Sequence, residues 1–137
     1  MSIETGLLTY LKTDTDLMAL VGNGDSPLTC RIYPVRLPQN WTAPAITYQR
    51  ISGPRLQSLS GPSGRAHPRY QFDILDGTYA SVRVAADKLR AALDGYTGAM
   101  GSETVGACTI DNDFDGYLAD TDVYRVSMDF IIWHIET

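Results

Sequence analysis

Apolar residues near the start of the chain follow a helical period. They recur every three or four positions, at Ile3, Leu7, Leu8 and Leu11. This spacing predicts an amphipathic helix over residues 3–12. A capping box that begins at Thr13 predicts that the helix restarts there, and the Gly-Asn-Gly sequence at residues 22–24 predicts its end.

The same period returns later in the chain and predicts a second helix. Its apolar stripe contains Val82, Ala85, Ala86, Leu89, Ala92 and Leu93. Thr78 is placed to cap the first turn, and Gly95 is placed to end the helix. Because half of the stripe is alanine, the helix is predicted to pack closely on a sheet.

Alternation of polar and apolar residues predicts the strands, at residues 30–33, 45–52, 69–75, 103–110 and 124–132. In the last and clearest of them, one face consists of Tyr124, Val126, Met128, Phe130 and Ile132. Residues 34–44 contain three prolines, which predict an extended connector. Residues 53–68 contain three Pro, three Gly and three Ser. They are predicted to form a long irregular loop, of the kind that is functional or mobile.

The order of these elements favours an α+β fold. A helix, three strands, a helix and two strands predict a mainly antiparallel sheet of four to five strands, with two main helices packed on one face. The 137 residues are 44% hydrophobic and 20% charged, as expected for a single domain over residues 1–137 with a real core. No apolar run reaches the roughly 18 residues of a membrane span. The first residues lack the basic start of a secretory signal, so the protein is expected in the cytoplasm.

Charge is unevenly distributed along the chain. The net charge of −5 argues against a dedicated nucleic-acid binder. No acidic residue lies between Asp25 and Asp73, a segment with six arginines, whereas residues 111–122 contain five aspartates and no base. Segments of opposite sign steer complementary subunits together. Two solvated faces without a partner would have the same pattern.

Four arginines in and beside the predicted loop are the candidate partner-binding residues: Arg50, Arg55, Arg65 and Arg69. In one interpretation they form a flexible arm that becomes ordered against an acidic neighbour through charge-assisted contacts. In the other, they keep a mobile surface loop soluble. The length of the loop and the acid-free sequence around it favour the first interpretation.

The pattern of reactive residues does not favour an enzyme. No serine lies in a G-x-S-x-G elbow, and no Gly-rich loop matches a phosphate-binding motif. Cys30 and Cys108 lie far apart, outside any C-x-x-C pair, and are expected to be reduced in the cytosol. Neither a catalytic residue nor a cofactor is predicted.

One acidic segment is close to a calcium-binding loop. Asp111, Asp113 and Asp115 alternate, Gly116 follows, and Asp122 stands at the twelfth position. Against a metal site, the flanking segments are predicted strands rather than helices, and Asp122 is shorter than the glutamate usual at that position. The favoured interpretation is an acidic hairpin tip, because aspartate suits turns, and no metal site is predicted.

The motifs of the chain, taken in order, resemble a family of phage proteins. The first are D-L-M-A-L-V-G at 16–22, R-I-Y-P at 31–34, L-P-Q at 37–39 and P-A-I-T-Y at 44–48. The later ones are Y-Q-F-D-I-L at 70–75, T-Y-A-S-V-R at 78–83 and D-T-D-V-Y-R-V-S-M-D-F-I-I-W at 120–133. In order, spacing and total length they are similar to the tail completion or tail terminator proteins of long-tailed bacteriophages, over about residues 3–135.

The resemblance implies a structural protein of the virion tail, assembled in the host cytoplasm. Such a protein forms a homohexameric ring that caps the tail tube at its final length and joins the tail to the head. The implied partners are further copies of the chain, the major tail tube protein and the head–tail connector proteins. Before assembly the chain is either a monomer or already a ring. DNA would pass through the ring without specific binding, and residues 111–122 are candidates to line the lumen. The family's long loop corresponds to residues 53–68, and residues 24–28 look like a small insertion.

Two other functions stay open at this point. One is a different component of the head–tail interface, such as a head-side stopper or a minor tail subunit. The other is a small calcium-binding or adaptor module, for which the aspartates from 111 to 122 would be the site.

Overall fold

The fold is given by a computed structural model, which describes residues 3–14, 31–36, 44–52, 55–58, 61–100, 103–120 and 122–135. In chain order the elements are α1 (Ile3–Leu11), β1 (Ile32–Pro34), β2 (Ala45–Ser52), β3 (Arg55–Ser58), β4 (Gly61–Ala66), β5 (Arg69–Asp76), α2 (Tyr79–Leu93), β6 (Gly98–Met100), β7 (Glu103–Leu118) and β8 (Val123–Ile135). Both predicted helices and the strands at 45–52 and 69–75 are confirmed within about one residue. The predicted continuation of the first helix to residue 21 lies outside the described residues, as does most of the connector.

Eight strands in the described part of the chain form one sheet. Six follow one another in the order β1-β2-β5-β8-β4-β3, β7 pairs with the other side of β8, and β6 pairs with β7. β1 and β2 are parallel, and the other described pairs are antiparallel. The predicted α+β class is confirmed. The predicted count of four to five strands is wrong, because the sheet is larger, and the parallel pair of β1 and β2 makes it mixed although most of its pairs are antiparallel.

The additional strands come from segments in which Gly and Pro hide the alternation. Residues 53–68, predicted to be irregular, contain β3 and β4, which pair as a hairpin. The Pro62 position faces only β3, because β8 pairs with β4 only at Arg65 and Ala66. A strand with one open side tolerates proline. The predicted acidic tip at residues 111–122 is also extended over residues 111–118, which belong to β7 and pair with β8.

Two long hairpins extend from the sheet in opposite directions. In the first, β2 and β3 form one arm, and β4 and β5 form the other. Its outer part, β3 with β4, lies at the end of β8, where Ala66 pairs with His134. The second hairpin consists of β7 and β8, and its turn follows the pair Leu118 and Val123. Between Val123 and His134, β8 spans about 36 Å at a rise of about 3.3 Å per residue.

The core lies between the helices and one face of the sheet. The six apolar residues predicted for the stripe of α2 are all buried. They cover a sheet face on which Phe72 and Phe130 make an edge-to-face contact, with ring centroids 5.6 Å apart. From α1, Leu7 and Leu11 are fully buried in the same cluster. Both helices therefore contribute to a single apolar core.

Local signals at the ends of α2 are those expected from the sequence. The Thr78 hydroxyl accepts a hydrogen bond from the Ser81 N–H at 3.2 Å and caps the first turn. Gly95, just after the helix, has φ +82°, which glycine adopts without the steric cost that other residues have. The Tyr10 hydroxyl donates to the Ala92 carbonyl at 2.5 Å and so joins the two helices.

Candidate assembly surfaces

The arginine hairpin, defined here as β3 and β4 with Arg55 and Arg65, lies at one end of the sheet. Arg55 pairs with Ala66, and Arg65 pairs with Ile135 of β8. The two arginines thus stand near the base of a hairpin whose outer part extends beyond the end of β8. The sequence placed them in a loop, whereas the structure gives them defined positions on paired strands.

The other two candidate arginines are engaged within the chain. The Arg50 guanidinium donates to the Tyr70 hydroxyl, with Nε at 3.3 Å and Nη2 at 3.1 Å. Arg69, at the start of β5, bridges two carboxylates: its Nη2 lies 2.5 Å from Asp111 and its Nη1 lies 3.3 Å from Asp129. The hydrogen bond to Asp111 is the main reason that the pKa of Arg69 is raised above its usual value. The structure therefore separates the four candidate arginines into two pairs. Arg55 and Arg65 lie on the arginine hairpin, whereas Arg50 and Arg69 are bonded to side chains of their own sheet.

A polar ladder crosses the sheet face that the helices do not cover. Gln49 donates to Gln71 at 3.1 Å, and Ser127 donates to Asp73 at 2.6 Å. Ser127 is only 1% exposed, although its strand pattern places it on the polar face. With Arg69, these side chains connect β2, β5, β8 and β7 through polar contacts as well as through the backbone.

The aspartates of β7 do not all lie on one face of the sheet, because the register with β8 shifts between Ile110 and Asn112. Asp111 binds Arg69 on the polar face, whereas Asp115 accepts from Arg83 at 3.2 Å and from Tyr79 at 2.7 Å on the helix side. The β-bulge at the register shift directs Asp111 and Asp115 to opposite faces, whereas a calcium ion requires a curled loop whose oxygens converge. Within the residues that the structure describes, no group of three or more His, Cys, Asp or Glu is placed to hold a metal ion.

A cluster of tyrosines lies at the turn of the second hairpin, and sequence reasoning missed it. Tyr124 is its centre, with ring centroids 5.0 Å from Tyr117 and 6.0 Å from Tyr79. Tyr117 donates a hydrogen bond to Asp122, and this bond is the first cause of the raised pKa of Tyr117. The hydrogen bond to Asp115 has the same effect on the pKa of Tyr79. The signal in the sequence was weak, because the three tyrosines come from α2, β7 and β8.

Among the residues that the structure describes, the remaining reactive side chains do not form a nucleophilic pair. Cys108 is fully buried on β7, and burial, with a smaller effect of Asp94, raises the pKa of its thiol to about 12. A thiol of that pKa stays protonated at neutral pH and is a poor nucleophile. His134 is 6% exposed, and neither of its ring nitrogens has a hydrogen-bond partner among the described residues. His67 instead stacks on the Trp133 ring, with centroids 4.2 Å apart.

Comparison with known proteins identifies the family. The model of the family described as "Tail completion protein gp17" matches residues 5–135, nearly the whole chain. The chain belongs to the tail completion protein family. The resemblance inferred from the sequence motifs is thereby confirmed, and membership makes the chain a structural protein of the bacteriophage virion at the tail and head–tail interface.

The fold of this tail completion protein is also found in a solved virion. A chain of the structure titled "Virion of native gene transfer agent (GTA) particle" is similar with a TM-score of 0.74 and 16% sequence identity. The match covers 94% of this chain and 91% of that chain, and at this identity it concerns the fold. No curated protein matches the chain. None of the helices in the described residues is long and apolar enough to cross a membrane.

Proposed function

We propose that the chain caps the phage tail tube as a homohexameric ring and joins the tail to the head. Family membership supports the place in the tail. The specific support for a ring is that strand positions bearing arginines and a turn bearing aspartates lie at opposite ends of β8. A contact between two different surfaces repeats from copy to copy, and it ends only when the ring closes.

The positions of these surfaces along β8 carry the proposal. The arginine hairpin lies at the end of β8 near His134, and the aspartate-rich turn lies at the other end, after Leu118. The separation of about 36 Å along the strand is several times the Debye length of about 8 Å at physiological ionic strength. Charges that far apart do not neutralise each other within one copy, and in this proposal each group meets a partner.

Arg55 and Arg65 are the members of the candidate set that we assign to the contact. Arg50 and Arg69 donate to groups of their own sheet, so in this proposal they stiffen the base from which the hairpin projects. The acidic surface that meets Arg55 and Arg65 belongs to a neighbouring copy or to the tail tube. Charge-assisted contacts of arginine with carboxylates are strong and geometrically specific.

In this proposal the protein acts by assembly and catalyses no reaction, so no cofactor takes part. Its partners are further copies, the major tail tube protein and the head–tail connector. DNA passes through the ring, and the net charge of −5 limits its attachment to the protein, because phosphate binding needs a basic surface.

The experiment combines native mass spectrometry with tail joining. The purified chain, alone and with tail tubes of its phage, is expected to give a species of six copies that caps the tubes. The charge reversals Arg55→Glu and Arg65→Glu are expected to abolish joining of tails to heads and to leave the melting temperature unchanged. Lys88→Glu with Arg90→Glu is the matched control, since it changes the net charge equally at two exposed positions of α2.

Two results would contradict the proposal. If the wild-type chain stays monomeric and leaves tail tubes uncapped, the ring is wrong. If the Arg55 and Arg65 variant joins tails normally, the assignment of the arginine hairpin is wrong, whatever the oligomeric state.

A further inference from the structure

Two exposed tyrosine rings pack against the same third ring at the turn of the second hairpin. Tyr79 is 48% exposed and Tyr117 is 50% exposed, and both contact the ring of Tyr124. These three residues, with Asp115 and Asp122, are named the tyrosine patch. Single exposed apolar residues are ordinary on a protein surface, whereas contiguous ones mark interaction sites.

The tyrosine patch is held in place before any partner arrives. Asp115 accepts the hydroxyl of Tyr79 at 2.7 Å, and Asp122 accepts the hydroxyl of Tyr117. Both bonds raise the pKa of the tyrosines and keep the hydroxyls protonated. The ring contacts with Tyr124 and the hydrogen bonds of the hydroxyls both hold the two tyrosines in place. Little side-chain entropy is therefore lost when a partner binds.

The chemistry of the tyrosine patch suits a guanidinium group. The face of an aromatic ring attracts a cation, and the carboxylates around the rings offer charge-assisted hydrogen bonds. Asp113 and Asp120 add two further exposed carboxylates nearby. Two described arginines lie near this region. Asp115 and Asp87 accept the contacts of Arg83, and the Arg125 guanidinium lies against Gly116. The region thus has an excess of negative charge facing solvent.

The arginine that fits this patch comes from another copy. The chain's own arginine hairpin lies at the far end of β8, about 36 Å away along the strand, and the partner proposed above carries the same hairpin. Resting on the proposed ring, we propose that the tyrosine patch of one copy binds Arg55 and Arg65 of the next copy. The contact joins two different surfaces, so each copy offers one of each, and six such contacts close the ring.

The test mixes two variants of the full chain. The first, Tyr117→Ser, damages the patch and keeps the hairpin. The second, Arg55→Glu with Arg65→Glu, damages the hairpin and keeps the patch. Each alone is expected to raise the dissociation constant of assembly by at least about tenfold, as removal of an interface hot spot does. A mixture retains one intact hairpin and one intact patch, so sedimentation and native mass spectrometry are expected to show one-to-one dimers that do not grow.

Phe114→Ser is the matched control. Phe114 is 44% exposed and lies three residues from Tyr117 on the same strand, but its register partner is Ser127 on the polar face. The Phe114→Ser variant is therefore expected to assemble like the wild-type chain. If Tyr117→Ser lowers the melting temperature, Asp120→Arg replaces it, because Asp120 is exposed in the turn beside Tyr117 and bears no described contact within the core.

The outcomes separate this inference from the proposed function. Wild-type rings together with normal assembly of the folded patch variants would overturn the inference and leave the ring standing. Two variants that are each defective but form no dimers when mixed would also overturn it, since hairpin and patch then do not bind each other. A wild-type chain that stays monomeric, even on tail tubes, would overturn the ring and the inference with it.

Discussion

Gly6 in α1 lies directly against the backbone carbonyl of Met100 in β6, so closely that a β-carbon at position 6 would overlap the carbonyl oxygen. This contact brings the first helix onto the short strand that precedes β7. We expect Gly6→Ala to lower the free energy of unfolding by about 1–3 kcal/mol, because the helix or the strand must move. Chemical denaturation by urea, followed by circular dichroism, measures the change.

The control for this prediction is Gly77→Ala. A β-carbon at position 77 meets no atom within 4 Å, so the substitution is expected to change stability by less than about 0.5 kcal/mol. Alanine favours helices over glycine by about 1 kcal/mol. A Gly6→Ala variant more stable than wild type would therefore show that the helix tolerates the extra carbon and that the close approach is not a constraint.

Arg69→Ala is expected to destabilise the sheet by about 1–3 kcal/mol, because Asp129 then loses its cation while it stays mostly buried. The side chain of Asp129 is 14% exposed, and its Oδ1 atom has no hydrogen-bond partner in the described structure. Arg90→Ala is the comparison, since Arg90 is 53% exposed and lies 3.9 Å from Asp87. Thermal and urea unfolding of both variants check the difference.

Asp129→Asn in the Arg69→Ala background distinguishes charge from packing. A neutral amide costs less to bury than an unpaired carboxylate, so the double variant is expected to regain part of the stability. If it does not, the effect of Arg69 comes from the packing of its side chain rather than from the ion pair.

The burial pattern was predictable from the sequence where one element alone decides it. The alternation of Tyr70, Phe72 and Ile74, and the helical period of α2, set which side chains face the core, and all of these residues are buried. Local period fixes the face of an element, because side chains alternate on a strand and repeat every 3.6 residues on a helix.

The contacts of Arg69 were not predictable in the same way. Asp111 reaches Arg69 because β7 lies on the far side of β8 and because the register shifts between Ile110 and Asn112. A β-bulge redirects a side chain, and no local pattern indicates which strand becomes the neighbour. The tyrosine patch was missed for the same reason, since Tyr79 and Tyr117 meet only through the tertiary fold.

The raised pKa of Cys108 predicts that the protein loses stability in mild alkali. The thiol has a pKa of about 12 in the folded chain, against 9.0 when unperturbed. Between these values the unfolded chain releases a proton that the folded chain retains, so rising pH favours unfolding. The contribution of Cys108 is complete below pH 9, and it declines by up to about 1.4 kcal/mol per pH unit above it.

Cys108→Ala provides the comparison for this prediction. Alanine does not titrate, so the free energy of unfolding of the variant is expected to fall less steeply with pH above 9, even if the variant is less stable overall. Urea unfolding at several pH values from 8 upwards measures both slopes. Equal slopes would mean that the folded thiol ionises as easily as the unfolded one and that its surroundings are more polar than the structure indicates.

The opposite charges at the two ends of β8 predict that assembly depends on salt. Screening shortens the Debye length from about 14 Å at 50 mM to about 4 Å at 500 mM salt, so wild-type association is expected to weaken by about tenfold or more over that range. The variant with Arg55→Glu and Arg65→Glu places like charges together, and salt is expected to strengthen its residual association instead. Sedimentation across a salt series measures both trends. If wild-type association instead strengthens with salt, apolar contacts rather than opposite charges hold the copies together. The proposed ring would then lose its support from the charges at the two ends of β8.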